Sequence, residues 1–102
     1  YPDVVPLLVE LPPSEAFERT RDAAGTMPGW TIVAADRAIG RIEASQSSLW
    51  FGFTDDIVIR VVAQGRGSRI DMRSVSRQGR GDFGVNAQRV RAFMAELRHR
   101  MG

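Results

Sequence analysis

All fourteen permanent cations of this 102-residue chain are arginines; it has no Lys, no Cys and one histidine, His99. Guanidinium groups meet carboxylates and phosphates through planar forks and do not serve as bases, so the chemistry on offer is anion recognition. The absence of Cys excludes disulfide scaffolds, zinc fingers, iron–sulfur clusters and thiol catalysis, and a single His excludes a histidine metal cage. No metal and no cofactor is expected. Ser74 and Ser76 have no His or Lys base beside them, which argues against a serine nucleophile. Asp55 and Asp56 are neighbours in an extended segment and point to opposite faces, unlike a carboxylate dyad sharing one site. No catalytic residue is assigned, and the chain reads as a binding domain before it reads as an enzyme.

Charge is distributed unevenly. The net charge is only +2, and the pI of about 10.4 reflects the lack of any Lys to titrate below Arg. Residues 1–65 carry five Arg against nine acids, whereas residues 66–102 carry nine Arg against three. The halves attract on folding and leave a basic remainder. A GC-rich genome accounts for all-Arg usage as well as a functional demand does, so position carries more weight than the total. Apolar residues at 43% and charged residues at 25% are an ordinary globular balance. This length supports one domain, residues 1–102, and no apolar run approaches the ~20 residues of a membrane span. The chain begins with Tyr1 rather than Met, so it is read as the soluble portion of a longer membrane-associated protein, with any anchor upstream.

The elements that must position these residues follow from periodicity. Val4 to Leu11 predicts a strand with Val5, Leu7, Val9 and Leu11 on one face, ended by Pro12-Pro13. Ser14-Glu15 opens a helix burying Phe17, Ala24 and Met27, and Met27-Pro28-Gly29 stops it. Trp30 to Ala35 and Ile39 to Ser45 predict two strands around an Asp36-Arg37-Ala38 turn. After a turn at Gln46-Ser47 comes a long fourth strand, Ser48 to Ala63, then Gln64 to Gly67 turning into a fifth, Ser68 to Val75. A polar, Gly-rich stretch leads to a last helix whose stripe is Val90, Phe93, Met94, Leu97 and Met101. The order β-α-β-β-β-β-α implies an α+β fold: a curved antiparallel sheet with two helices on one face, TATA-binding-protein-like or helix-grip-like.

With Ala63 opposite Ser68, Arg60 faces Asp71, Val58 faces Arg73, and Asp56 faces Val75, diagonal to Arg73 and Arg77. The other face then carries Ile57, Ile59, Val61, Ile70 and Met72, and a one-residue slip would destroy this segregation. Continuing the parity backward puts Leu49, Phe51 and Phe53 in the core and Trp50 outside. If Ser45 opposes Ser48, Glu43 lies across from Trp50. The helix-free face reads Arg41, Glu43, Trp50, Asp56, Arg60, Asp71, Arg73 and Arg77. Two readings stay open: a solvated charge ladder, or a ligand or partner surface on which Trp50 supplies contact area and the guanidiniums bind an anion.

On the opposite face, Asp55 falls at the end of the core side near Ser74 and Ser76. A carboxylate there needs donors, and Asn86 and Arg89, three apart on one side of the last helix, supply them. Asp55, Ser74, Ser76, Asn86 and Arg89 are expected to form a polar cluster locking the helix start to the sheet end. Asp82 is the expected N-cap, with Asn86 its rival. Gly79, Gly81 and Gly84 permit a tight loop beside Arg77 and Arg80 that could cradle an anion. Arg80-Gly81-Asp82 and Asp82-Phe83-Gly84 match adhesion and kinase tripeptides by chance, since no Lys exists for a kinase.

Tyr1-Pro2-Asp3, Gly29-Trp30, Arg41-Ile42-Glu43-Ala44, Phe53 with Asp55-Asp56 and Arg60, and the run from Asp71 through Arg73, Ser74, Ser76, Arg77, Gly79, Asp82, Gly84 and Asn86 to Arg89 together resemble the bacterial and plastid family called domain of unknown function 1499. The resemblance spans nearly the whole chain and implies no particular activity. It does imply a cell-envelope or membrane-associated location on an undetermined side, because bacterial members often carry hydrophobic N-terminal segments and plastid relatives suggest the thylakoid lumen. The leading expectation is a non-catalytic binding or interaction domain, with an unknown protein partner, touching a membrane only through an upstream segment. The alternative is a small-anion site, for phosphate or carboxylate, or an enzymatic site built on Arg73, Arg77, Arg80 and Asp56. Nucleic acid ranks last, because stacking is limited to Trp50 and the alternating acids repel phosphates.

Overall fold

The computed structural model describes residues 6–47, 54–76 and 83–101. Its elements run β1 (Leu7–Val9), α1 (Pro13–Thr26), β2 (Trp30–Asp36), β3 (Arg41–Ser47), β4 (Thr54–Gln64), β5 (Gly67–Ser76) and α2 (Phe83–Met101). The five strands form one antiparallel sheet ordered β1-β5-β4-β3-β2. This is the α+β architecture with the element order expected from periodicity. Its first and second strands lie at opposite edges, so the connection between them must cross the sheet. A 14-residue helix rises about 21 Å and four inter-strand steps span about 19 Å, so α1 has the length the crossing requires.

The core is the layer between the helices and one sheet face. Phe17, Ala16, Ala23 and Ala24 come from α1, Ile42, Ala44, Ile57, Ile59, Val61, Ile70 and Met72 from the central strands, and Val90, Phe93, Met94 and Leu97 from α2. Met101 packs against the core from the helix end. Thr20 is buried in the α1 stripe as well, its Oγ1 donating to the Ala16 carbonyl at 2.6 Å. That bond lets a polar residue occupy an apolar helical position. The alanines keep α1 close to the sheet, and Ser68 on β5 donates to the Leu11 carbonyl at 2.8 Å, fixing the end of β1.

The β4–β5 pairing is the predicted one: Ala63 opposes Ser68, Arg60 opposes Asp71, Val58 opposes Arg73 and Asp56 opposes Val75. Gln64 and Gly67 pair, leaving Gly65-Arg66 as a two-residue turn with positive φ at Gly65 alone, which fits a type II′ hairpin. The β3–β4 register corrects the expectation. Ser45 faces Asp56 rather than Ser48, Glu43 faces Val58 rather than Trp50, and Arg41 faces Arg60. Gln46-Ser47 is not a turn; β3 runs through both residues, and Gln46 is held in the strand by Trp30, whose Nε1 donates to Gln46 Oε1 at 2.9 Å. Neither residue favours the left-handed conformation that a two-residue hairpin demands. The fourth strand is described over Thr54–Gln64. The partner of Ser45 has moved by eight residues, an even number, so every β3 side chain keeps its predicted face. Leu49, Trp50, Phe51 and Phe53 lie outside the described residues.

A bulge between Ile32 and Ala34 interrupts β2, leaving Val33 64% exposed on the sheet edge. The β2–β3 turn closes on Gly40, whose φ of 66° lies in the left-handed region and whose carbonyl accepts from Val61 N–H at 2.7 Å. A Cβ there would collide with the Val61 carbonyl oxygen. Gly65 has a φ of 60° but open space around it. Gly40→Ala, which meets a backbone oxygen, should therefore cost about 3 kcal/mol or more in chemical denaturation, while Gly65→Ala, with open space around it, should cost only the ~1–2 kcal/mol strain of its positive φ. Equal losses at the two sites would contradict the steric account.

Candidate functional site

Strand alternation divides the charged residues between two environments. On the helix-free face, Asp71, Arg60 and Arg41 lie side by side across β5, β4 and β3, and Arg73, Val58 and Glu43 form the neighbouring row. Arg60 thus stands between a carboxylate and a second guanidinium. The ion pairs that form run along strands rather than across them: Arg41 Nε meets Glu43 Oε2 at 3.2 Å and Arg69 Nε meets Asp71 Oδ2 at 3.2 Å. All four side chains are at least a third exposed, so each pair contributes about 0–1 kcal/mol. Among the described residues, Arg60 and Arg73 have neither an ion pair nor a side-chain hydrogen bond, whereas Asp56 is engaged. Arg41, Asp56, Val58, Arg60 and Arg73 line one shallow depression of about 210 Å³.

The core side holds a different construction. Arg89 of α2 reaches Asp55 of β4 with Nη2 at 2.8 Å from Oδ2 and donates from Nη1 to Ser74 Oγ of β5 at 3.0 Å. The two charged side chains are only 11% and 14% exposed, and Ser74 is fully buried. Parity explains the meeting: Asp55 shares the inner face with Ile57 and Ile59, Ser74 pairs with Ile57, and Arg89 sits one residue before buried Val90. In such surroundings the pair's mutual attraction offsets the desolvation of both charges, and loss of one partner strands the other. The Ser74 hydroxyl thus accepts from the same guanidinium that holds Asp55.

Of the residues singled out from the sequence, Asp56, Arg60, Asp71 and Arg73 share the helix-free face, and Asp55, Ser74 and Arg89 meet on the other. Trp50, Arg77, Arg80 and Asp82 lie outside the described residues, as do the side chains of Ser76 in β5 and Asn86 in α2. Arg69 was not among the expected site residues, although its period-two spacing with Asp71 and Arg73 is a sufficient signal. The sequence marks Trp30 as a strand start and as part of the Gly29-Trp30 resemblance, with no contact assigned to its ring. Its indole stacks on Phe93 with ring centroids 5.1 Å apart, which ties β2 to α2 beside the Arg89 cluster.

A helix pair laid against one face of an antiparallel β-sheet with this connectivity is a known architecture. The crystal structure of Ara h 8.0201, which has a Bet v 1-like fold, matches with a TM-score of 0.59 over 94% of each chain, at 17% sequence identity. A likeness at that identity shows the fold alone. The family model for "Protein of unknown function (DUF1499)" matches residues 1–97, and the chain belongs to that family. No curated protein matches.

The buried pair generates a direct expectation. Asp55→Ala and Arg89→Ala should each lower stability by about 3 kcal/mol, the cost of leaving a buried charge without its partner. In a double-mutant cycle their losses should be strongly non-additive. Urea titrations of the two single variants and the double variant measure this directly. Additive or negligible losses would show that the pair does not hold α2 to the sheet.

Proposed function

We propose that this domain is a non-catalytic binding module of a cell-envelope protein, meeting anionic groups of its partner through the helix-free face. The observation that carries the reading is the placement of Arg60 and Arg73 on central strands, beside half-buried Val58, without an ion pair among the described residues. Guanidinium forks with unspent donors beside an apolar patch are the usual chemistry of a contact surface.

A non-catalytic role is supported by what the candidate reactive groups are doing. Asp55 is bound to Arg89 on the inner face while Asp56 serves the outer one, so the two carboxylates share no site. The Ser74 hydroxyl accepts from Arg89. The envelope placement rests on the family resemblance; among the described residues no helix is long and apolar enough to cross a membrane.

Cross-linking in envelope extracts of the source organism tests the surface. Adducts formed by the unmodified chain should fall at least about tenfold for Arg60→Ala/Arg73→Ala, if the two lost charge-assisted contacts together cost roughly 1.4 kcal/mol or more at the interface. They should persist for Arg66→Ala, which removes an exposed guanidinium from the hairpin turn. Identical adduct patterns for all three proteins would rule out this face as the contact surface.

A further inference from the structure

The depression on the helix-free face is small and chemically specific. Its volume of about 210 Å³ lies below the ~300–1,000 Å³ of sites that engulf drug-sized ligands. A headgroup-sized fragment fits, and nothing larger is enclosed. Three guanidiniums from three adjacent strands border it: Arg41 from β3, Arg60 from β4 and Arg73 from β5. Arg41 and Arg60 are directly opposed, an arrangement that destabilises a sheet unless something neutralises it. Glu43 neutralises Arg41 along β3, whereas Asp71, the carboxylate opposite Arg60, is turned toward Arg69 along β5. Among the described residues no ion pair or side-chain hydrogen bond takes the donors of Arg60 and Arg73, and the half-buried Val58 side chain between them thins the water that would screen a bound anion.

A phosphoryl group matches this arrangement, because its oxygens can accept from several forks at once. Asp56 narrows the class further. It lines the same depression and would repel a bare anion on that side, yet the two oxygens of a carboxylate offer about four acceptor positions, so a hydroxyl can donate to Asp56 beside its existing interaction. We propose that this depression binds the phosphate ester of a polyol, with the phosphate on Arg60 and Arg73 backed by Arg41 and a neighbouring hydroxyl donating to Asp56. The assignment rests on the reading of this face as the contact surface and names the group it contacts. Such a phosphate is carried either by a soluble polyol phosphate or by the glycerol headgroup of a phospholipid.

Two titrations at low ionic strength separate these sources: sn-glycerol 3-phosphate followed by calorimetry, and co-sedimentation with phosphatidylglycerol/phosphatidylcholine vesicles against phosphatidylcholine alone. The expected result is binding to at least one probe, weakened tenfold or more by Arg60→Gln/Arg73→Gln and unchanged by Arg66→Gln. Asp56→Asn should erase the preference for glycerol 3-phosphate over inorganic phosphate. Binding confined to the anionic vesicles assigns the lipid source, and binding of the soluble ester assigns the other. If neither probe binds, or if Arg66→Gln weakens binding as much as the double variant, the phosphate site is wrong. In that event cross-linking that still depends on Arg60 and Arg73 leaves the contact surface standing, whereas insensitive cross-linking removes both. All substituted side chains border solvent, and matched thermal melts confirm that the variants are folded.

Discussion

The pairing of β4 with β5 decides the neighbours of almost every charged side chain discussed above. It places Ile57, Ile59, Val61, Ile70 and Met72 together under the helices and Asp56, Arg60, Asp71 and Arg73 together outside. Moving one strand by a single residue would bring its buried set into water. At about 1.5–3 kcal/mol for each large apolar side chain, the three β4 residues alone represent roughly 5–9 kcal/mol, comparable with the whole stability of a typical domain. No exposed ion pair on the outer face approaches that figure. The hydrophobic core therefore sets the alignment, and the positions of the guanidiniums are its consequence.

That hierarchy explains how consecutive aspartates acquire unrelated roles. Asp55 is carried inward, where desolvation makes an unpartnered carboxylate costly, and Arg89 and Ser74 complete a compact polar cluster between helix and sheet. Asp56 is carried outward to the rim of the Arg41, Arg60 and Arg73 depression. The inner group is bound into the architecture and its loss is felt as stability. The outer group is free of that duty, so its replacement is felt at the surface.

Several of these relations were legible in the sequence for identifiable reasons. In residues 56–63 and in 68–75 every charged side chain falls on a single parity, and the two segments flank a turn containing Gly65, which leaves one register that segregates the charged side chains from the core. The α2 stripe repeats at helical spacing, and the proximity of Asp55, Ser74 and Arg89 follows from combining strand parity with that helical phase. The β3–β4 connection was not legible, because Gln46 and Ser47 resemble turn residues in polarity but are held in β3 by pairing with Asp55 and Thr54 and by the Trp30–Gln46 bond. The β2 bulge hides in the weakly alternating run Val33-Ala34-Ala35. The choice of Arg69 over Arg60 as partner of Asp71 is a rotamer preference between nearly equivalent neighbours, which residue order alone does not encode.

The opposed Arg41 and Arg60 show why surface and fold can vary separately. A like-charge cross-strand pair costs within about 0.2–1 kcal/mol, several times less than the burial that enforces its geometry. A sheet of this kind therefore carries an unfavourable charge arrangement on its outer face without losing its alignment, and substitutions there alter what the face binds before they alter the architecture. The 17% identity shared with Ara h 8.0201 is consistent with this separation: the helix-on-sheet core retains its form across 94% of each chain while the side chains diverge. Function has to be argued from the rows of residues that the core holds in place, because the shared architecture constrains where those residues stand and leaves their chemistry open.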